Sequence, residues 1–134
     1  MQIDSPGLAV LMAATLWPAS VDAQDVTVTL RPLDPVTEGS TLEIVADVRS
    51  PADDPRPILL TPSAEGTVEI VRGRLMRSDG ESVGEGILRF RIPARAHAPG
   101  TAIVRVTVAT FRCQRRCHRV LAEASVVVRV VAAE

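Results

Sequence analysis

From residue 26 onward, apolar residues fall again and again on every second position. The pattern is plainest where Ala102, Val104, Val106 and Val108 alternate with positions that include Arg105 and Thr107. Period 2 is the repeat of a β-strand, whose successive side chains point to opposite faces. A helix burying one stripe would need a repeat near 3.6. The same alternation places Val26, Val28 and Leu30 on one face, and likewise Leu42, Ile44, Ala46 and Val48. It recurs at Val68 and Ile70, then at Leu88, Phe90 and Ile92. It closes with Val120, Ala122, Ala124, Val126, Val128 and Val130. A short apolar run, Ile58–Leu60, adds one more strand.

Between these runs lie stretches rich in turn residues: "RPLDPVTEGS", "RSPADDPRP", "TPSAEG", "SDGESVGEG" and "PARAHAPG". A bend or bulge is expected at Gly73. The reading is seven strands and no convincing helix, an all-β antiparallel sandwich over residues 24–134. The whole sequence, 134 residues and 46% hydrophobic, suits one domain with a sizeable core and excludes a disordered chain.

The opening segment reads differently. "GLAVLMAATLW" is an apolar run of residues 7–17, too short for the roughly 20 residues that span a membrane. It suits the core of a signal peptide, and Val21-Asp22-Ala23 supplies small residues before a cleavage site. Residues 1–23 are therefore expected to be a cleavable address, although "MQIDSPG" lacks the usual basic residues. Without Asp4, Asp22 and Trp17, the remainder carries 15 arginines against 14 acids, with Phe90 and Phe111 as its aromatic residues. That balance argues against a nucleic-acid binder. Export places the chain in the periplasm or outside the cell, where cysteines oxidise.

Both cysteines lie in "FRCQRRCHRV", residues 111–120, between the two longest expected strands. With Gln114, Arg115 and Arg116 as the tip, Cys113 and Cys117 face each other. Opposed strand residues stand about 4.5–5.5 Å apart at Cα, within the roughly 4.4–6.8 Å that a disulfide accepts. A disulfide is expected, worth about 2 kcal/mol because the loop it closes is short. Arg112, Arg115, Arg116 and Arg119, with His118, concentrate positive charge there. Rigid guanidiniums suit a carboxylate or phosphate on a protein or an anionic cell-envelope partner. A solvated tip that merely resists edge aggregation is the plainer reading.

Other chemistry at this hairpin is less well supplied. Cys113, Cys117 and His118 make an incomplete metal site among repelling arginines, and the haem-attachment pattern carries one residue too many. The acids Asp34, Glu38, Asp53, Asp54, Asp79 and Glu81 collect in loops without an ordered calcium motif. His97 and His118 stand in no hydrolase pattern. No cofactor and no enzyme activity are expected, apart from the alternative that Cys113 and Cys117 exchange thiols, their pKa lowered by the surrounding arginines.

Seven short strands in about 110 residues resemble the immunoglobulin-like and fibronectin-type-III-like modules of exported bacterial proteins. The resemblance implies a sandwich. It implies no particular activity, because the fold serves many roles and the Cys…Trp…Cys core of antibody domains is absent. In outline the thiol alternative is similar to the amino-terminal domain of periplasmic thiol:disulfide interchange reductases, which space their cysteines more widely. The expectation is an exported interaction or accessory module acting through the hairpin tip or a sheet edge.

Overall fold

The computed structural model describes residues 26–50, 56–113 and 115–134. The expected signal segment 1–23, the acids Asp53 and Asp54, and Gln114 lie outside the described residues. Among the described residues ten strands form, not seven. They are β1 (Thr27–Leu30), β2 (Val36–Thr37), β3 (Thr41–Arg49), β4 (Leu59–Glu65) and β5 (Val68–Ile70). β6 (Leu75–Met76), β7 (Glu81–Gly84), β8 (Ile87–Ala96), β9 (Gly100–Cys113) and β10 (Cys117–Val131) complete the set.

The strands make two sheets. The first runs β1-β3-β8-β5, with β7 also on β8, and the second runs β2-β10-β9-β4-β6. Every pairing is antiparallel except β2 with β10. This is the layout of an immunoglobulin-like sandwich, with the opening strand divided between the sheets. Pro32 and Pro35 explain the division: neither can donate to a ladder, so β1 ends and the chain crosses to the second sheet as β2.

Two of the extra strands, β2 and β7, come from stretches that read as turns, and the third comes from a run that divides. Leu60, Pro62 and Ala64 continue one inward alternation, so "TPSAE" extends β4. Past Leu60 the outer edge of β4 has no further ladder with β6, which gives Pro62 an edge position. Pro93 lies inside β8, opposite Glu43. Its carbonyl accepts from the Val71 N–H at 3.0 Å. The N–H and C=O of one strand residue point to the same side. The donor Pro93 lacks would therefore face the end of β5, and the ladder to β3 loses nothing. The run 67–77 splits into β5 in one sheet and β6 in the other. A 3-10 turn at Arg77–Asp79 leads into "SDGESVGEG", which supplies β7, and β7 bulges between Ser82 and Gly84 against β8.

The inner faces meet in one aliphatic core. Ile44, Ile58, Leu60, Leu75, Ile92, Val104, Val106, Val108 and Val128 are buried around Phe90, the one aromatic ring in that core among the described residues. Burial of this kind contributes about 25 cal/mol per Å² of apolar surface and dominates the stability of such a domain.

The outer face of the first sheet is charged. Thr29, Asp47, Arg89 and Glu81 stand in register across β1, β3, β8 and β7. Arg89 Nε donates to Asp47 Oδ1 at 2.8 Å, and its Nη2 donates to Oδ2 at 3.1 Å. Such a cross-strand pair contributes about 0.2–1 kcal/mol. Those hydrogen bonds, only partly opposed by desolvation, hold the Asp47 carboxyl below its usual range and raise the Arg89 guanidinium in turn. A depressed folded pKa stabilises fully above the unfolded Asp value of about 3.9, and that stability is lost as pH falls through the folded value. In an NMR titration Asp47 is expected to protonate below the ordinary Asp range, and Arg89→Gln should move it upward. An ordinary midpoint with Arg89 in place would refute this.

Candidate functional site

β9 and β10 have 14 and 15 residues, and their neighbours are shorter. β4 pairs with β9 only from Ile103 to Ala109, and β2 pairs with β10 only at Val130 and Val131. The hairpin therefore outruns the sandwich. All six alternating residues from Val120 to Val130 face inward as expected, but only Val128 and Val130 are buried. The root of the projection is pinned by Thr110, which is 2% exposed and whose Oγ1 donates to the Pro57 carbonyl at 2.7 Å.

At the tip Cys113 and Cys117 stand directly opposite each other and form a disulfide. Their Cα atoms are 4.0 Å apart, slightly closer than the expected spacing. Both residues are exposed.

The register separates the other tip residues. Opposed residues in an antiparallel pair share a face. Arg112 is opposite His118, and both belong to the inward-facing series that continues from Thr110 and Val120. Arg119 is opposite Phe111, and they share the outer face with the disulfide and Leu121. Arg115 and Arg116 are exposed at the turn itself. The four arginines and the histidine grouped by sequence thus separate into two exposed turn arginines, Arg112 with His118 on one face, and Arg119 on the other. His118 lies on the face opposite the cysteines, whose sulfurs are bonded to each other, so the three do not come together as a ligand set. Among the described residues no group of three or more His, Cys, Asp or Glu side chains is placed to hold a metal. Asp79 instead accepts from the Met76 N–H at 2.8 Å and pairs with Arg72 at 2.9 Å, and both contacts hold its carboxyl below the usual range.

One feature beside the tip was not anticipated. Met76, Leu59, Ala109 and Leu121 lie in a single row across β6, β4, β9 and β10 on the outer face of the second sheet. Met76 is 55% exposed, Leu121 58% and Phe111, next to the row, 43%. The sequence held half of this signal, because Phe111 and Leu121 fall out of phase with the inward residues of their strands. The other half depends on β6 pairing with β4, which no local pattern announces.

No protein-family model matches the chain, and no match to a curated protein was found. The fold does have solved neighbours. One is the cryo-EM structure of native alpha-2-macroglobulin from E. coli, matched at a TM-score of 0.53 and 17% identity over 79% of this chain and 7% of that one. Another is the crystal structure of the same E. coli protein from domain MG7 to its C-terminus, with a TM-score of 0.55 and 17% identity over 78% of this chain and 16% of the other. The chain spans less than a fifth of either neighbour, and at this identity the likeness shows a shared fold, an immunoglobulin-like β-sandwich that in those proteins is one module of a far longer chain.

Proposed function

We propose that this chain is an exported, non-enzymatic interaction module that presents the β9–β10 tip to an anionic or protein partner. The observation that carries the reading is the projection of a disulfide-closed hairpin beyond the sandwich, with Arg115, Arg116 and Arg119 exposed at its end. The disulfide fits an oxidising compartment. No helix among the described residues is long and apolar enough to cross a membrane. The neighbours, in which the same fold is one part of a longer chain, agree with an accessory role.

Chemically, the closed turn limits the loss of backbone entropy on binding, and guanidinium forks match carboxylate or phosphate oxygens. Replacing Arg115 and Arg116 by Ser is expected to weaken binding to lipopolysaccharide micelles or to polyglutamate by roughly three- to thirtyfold at low ionic strength. The difference should shrink as salt is raised. Fluorescence anisotropy with labelled ligand measures it. Binding unchanged by the double substitution would remove the tip from the site.

A further inference from the structure

On one side β10 is paired with β9 from Cys117 to Val130. On the other, β2 reaches only Val130 and Val131. From Cys117 to Arg129 that second edge has no strand partner among the described residues. β1 comes close to β10 across the sandwich edge but forms no ladder with it. A long Val-rich edge whose N–H and C=O groups have no ladder partner among the described residues is a template for another strand. Its outward-facing positions carry Arg119, Leu121, Glu123, Ser125, Val127 and Arg129.

We infer that the free edge of β10 pairs antiparallel with the same edge of a second copy, about a two-fold axis at Leu121. This goes beyond the tip reading and does not depend on it. The argument rests on charge and space. A two-fold axis perpendicular to the sheet keeps outward residues opposite outward residues. Centred at Leu121, the register sets Arg119 opposite Glu123 of the second copy, and the reverse, with the two exposed Leu121 side chains between the charge pairs. On the inner face it sets Val120 opposite Ala122. Shifting the centre to Val120 or Ala122 leaves Arg119 opposite Leu121 or Ser125. Centring on Glu123, which gives the longest overlap, sets that carboxylate against itself. Centring on Val126 matches Glu123 with Arg129, but it drives Ala122 and Leu121 into the edge that β2 already occupies at Val130 and Val131. The charge balance of the whole chain, net −1, opposes association little.

Sedimentation equilibrium of the disulfide-intact protein from about 1 to 100 μM tests this, a range that brackets the dissociation constants of weak edge-paired dimers. The expected result is a reversible dimer. Glu123→Arg converts two attractions into two repulsions and should raise the dissociation constant roughly tenfold or more. Combining it with Arg119→Glu rebuilds both pairs with reversed polarity and should restore the dimer. Arg115→Ser with Arg116→Ser should leave the dimer intact, which keeps this result separable from the tip-binding test. A monomer throughout the range, a dimer indifferent to Glu123→Arg, or no recovery in the charge swap would each overturn the inference. Far-UV circular dichroism confirms that each variant is folded, as expected for substitutions at exposed positions.

Discussion

Phe90→Ala is expected to remove about 3–5 kcal/mol of folding stability, read as a lower urea midpoint with an unchanged slope. The ring is fully buried on β8, opposite Ala46 of β3, and the core around it is otherwise aliphatic. Its far end lies under Gly80, where an added Cβ would stand 2.9 Å from the ring Cζ. The ring therefore fills the space from the middle of the sheet to the turn before β7. That space is bounded by paired strands, whose backbone cannot fold inward without breaking hydrogen bonds, so most of the cavity would persist. Domains of this size have about 5–15 kcal/mol in total, and the loss is a large share of it. Phe111→Ala is the internal control. Phe111 is 43% exposed beyond the core, and its truncation should cost no more than about 0.5 kcal/mol. Similar losses for the two phenylalanines would mean that the assigned core is wrong.

The contrast between those two residues was legible in the sequence, since Phe90 is in phase with Leu88 and Ile92 and Phe111 is out of phase with Val104, Val106 and Val108. Alternation identified the inward residues of β3, β8, β9 and β10 because one face of each strand meets the opposite sheet. It also placed Cys113 against Cys117, because two long alternating strands joined by so short a turn admit few registers. It could not say how far the opposite sheet extends. Val120, Ala122, Ala124 and Val126 point inward but are only half-buried, since the hairpin outruns its cover. Proline misled the reading at Pro62 and Pro93. A proline breaks a strand only where its missing N–H was needed, and that depends on neighbours distant in sequence. The charged tip read as one cluster because spacing counts residues, whereas the ladder sorts them by parity: Arg112 and His118 to one face, Arg119 to the other.

That sorting changes what the surface can do. The outer face of the second sheet joins the disulfide, Arg119, Phe111 and the row from Leu121 to Met76, so an anionic partner at the tip has apolar surface within reach. Arg105 lies farther down the same face and is already paired with Glu65 at 3.0 Å. The edge of β10 shares Arg119 and Leu121 with that face, and pairing there engages both residues with the second copy while leaving Arg115 and Arg116 at the turn. Partner binding at the tip and pairing at the edge can therefore coexist in one assembly, with two tips carried on one continuous sheet.

Gly66→Ala tests how the two sheets are tied together. Gly66 and Thr67 make the whole connection between β4 in the second sheet and β5 in the first. Gly66 has φ +94°, a region that L side chains rarely adopt. A Cβ there would also stand 2.9 Å from the Thr101 carbonyl oxygen, with Ala102 Cα at 3.6 Å. That oxygen belongs to the backbone of β9, so no side chain can rotate away to make room. The crossing would have to lift off β9, disturbing the hydrogen bond from the His97 N–H to the Thr67 carbonyl at 3.0 Å. Backbone strain of about 1–2 kcal/mol and a similar cost for the forced contact give an expected loss of about 2–4 kcal/mol. Gly39 separates the two contributions. Its φ is +87°, but nothing lies within 4 Å of its Cβ position, so Gly39→Ala should show the conformational cost alone, about 1 kcal/mol. Urea unfolding of both variants gives the difference directly. A clear excess at Gly66 would locate the added cost in the approach of this turn to β9. Equal losses would mean that the crossing relaxes freely and that its close approach to β9 adds no cost.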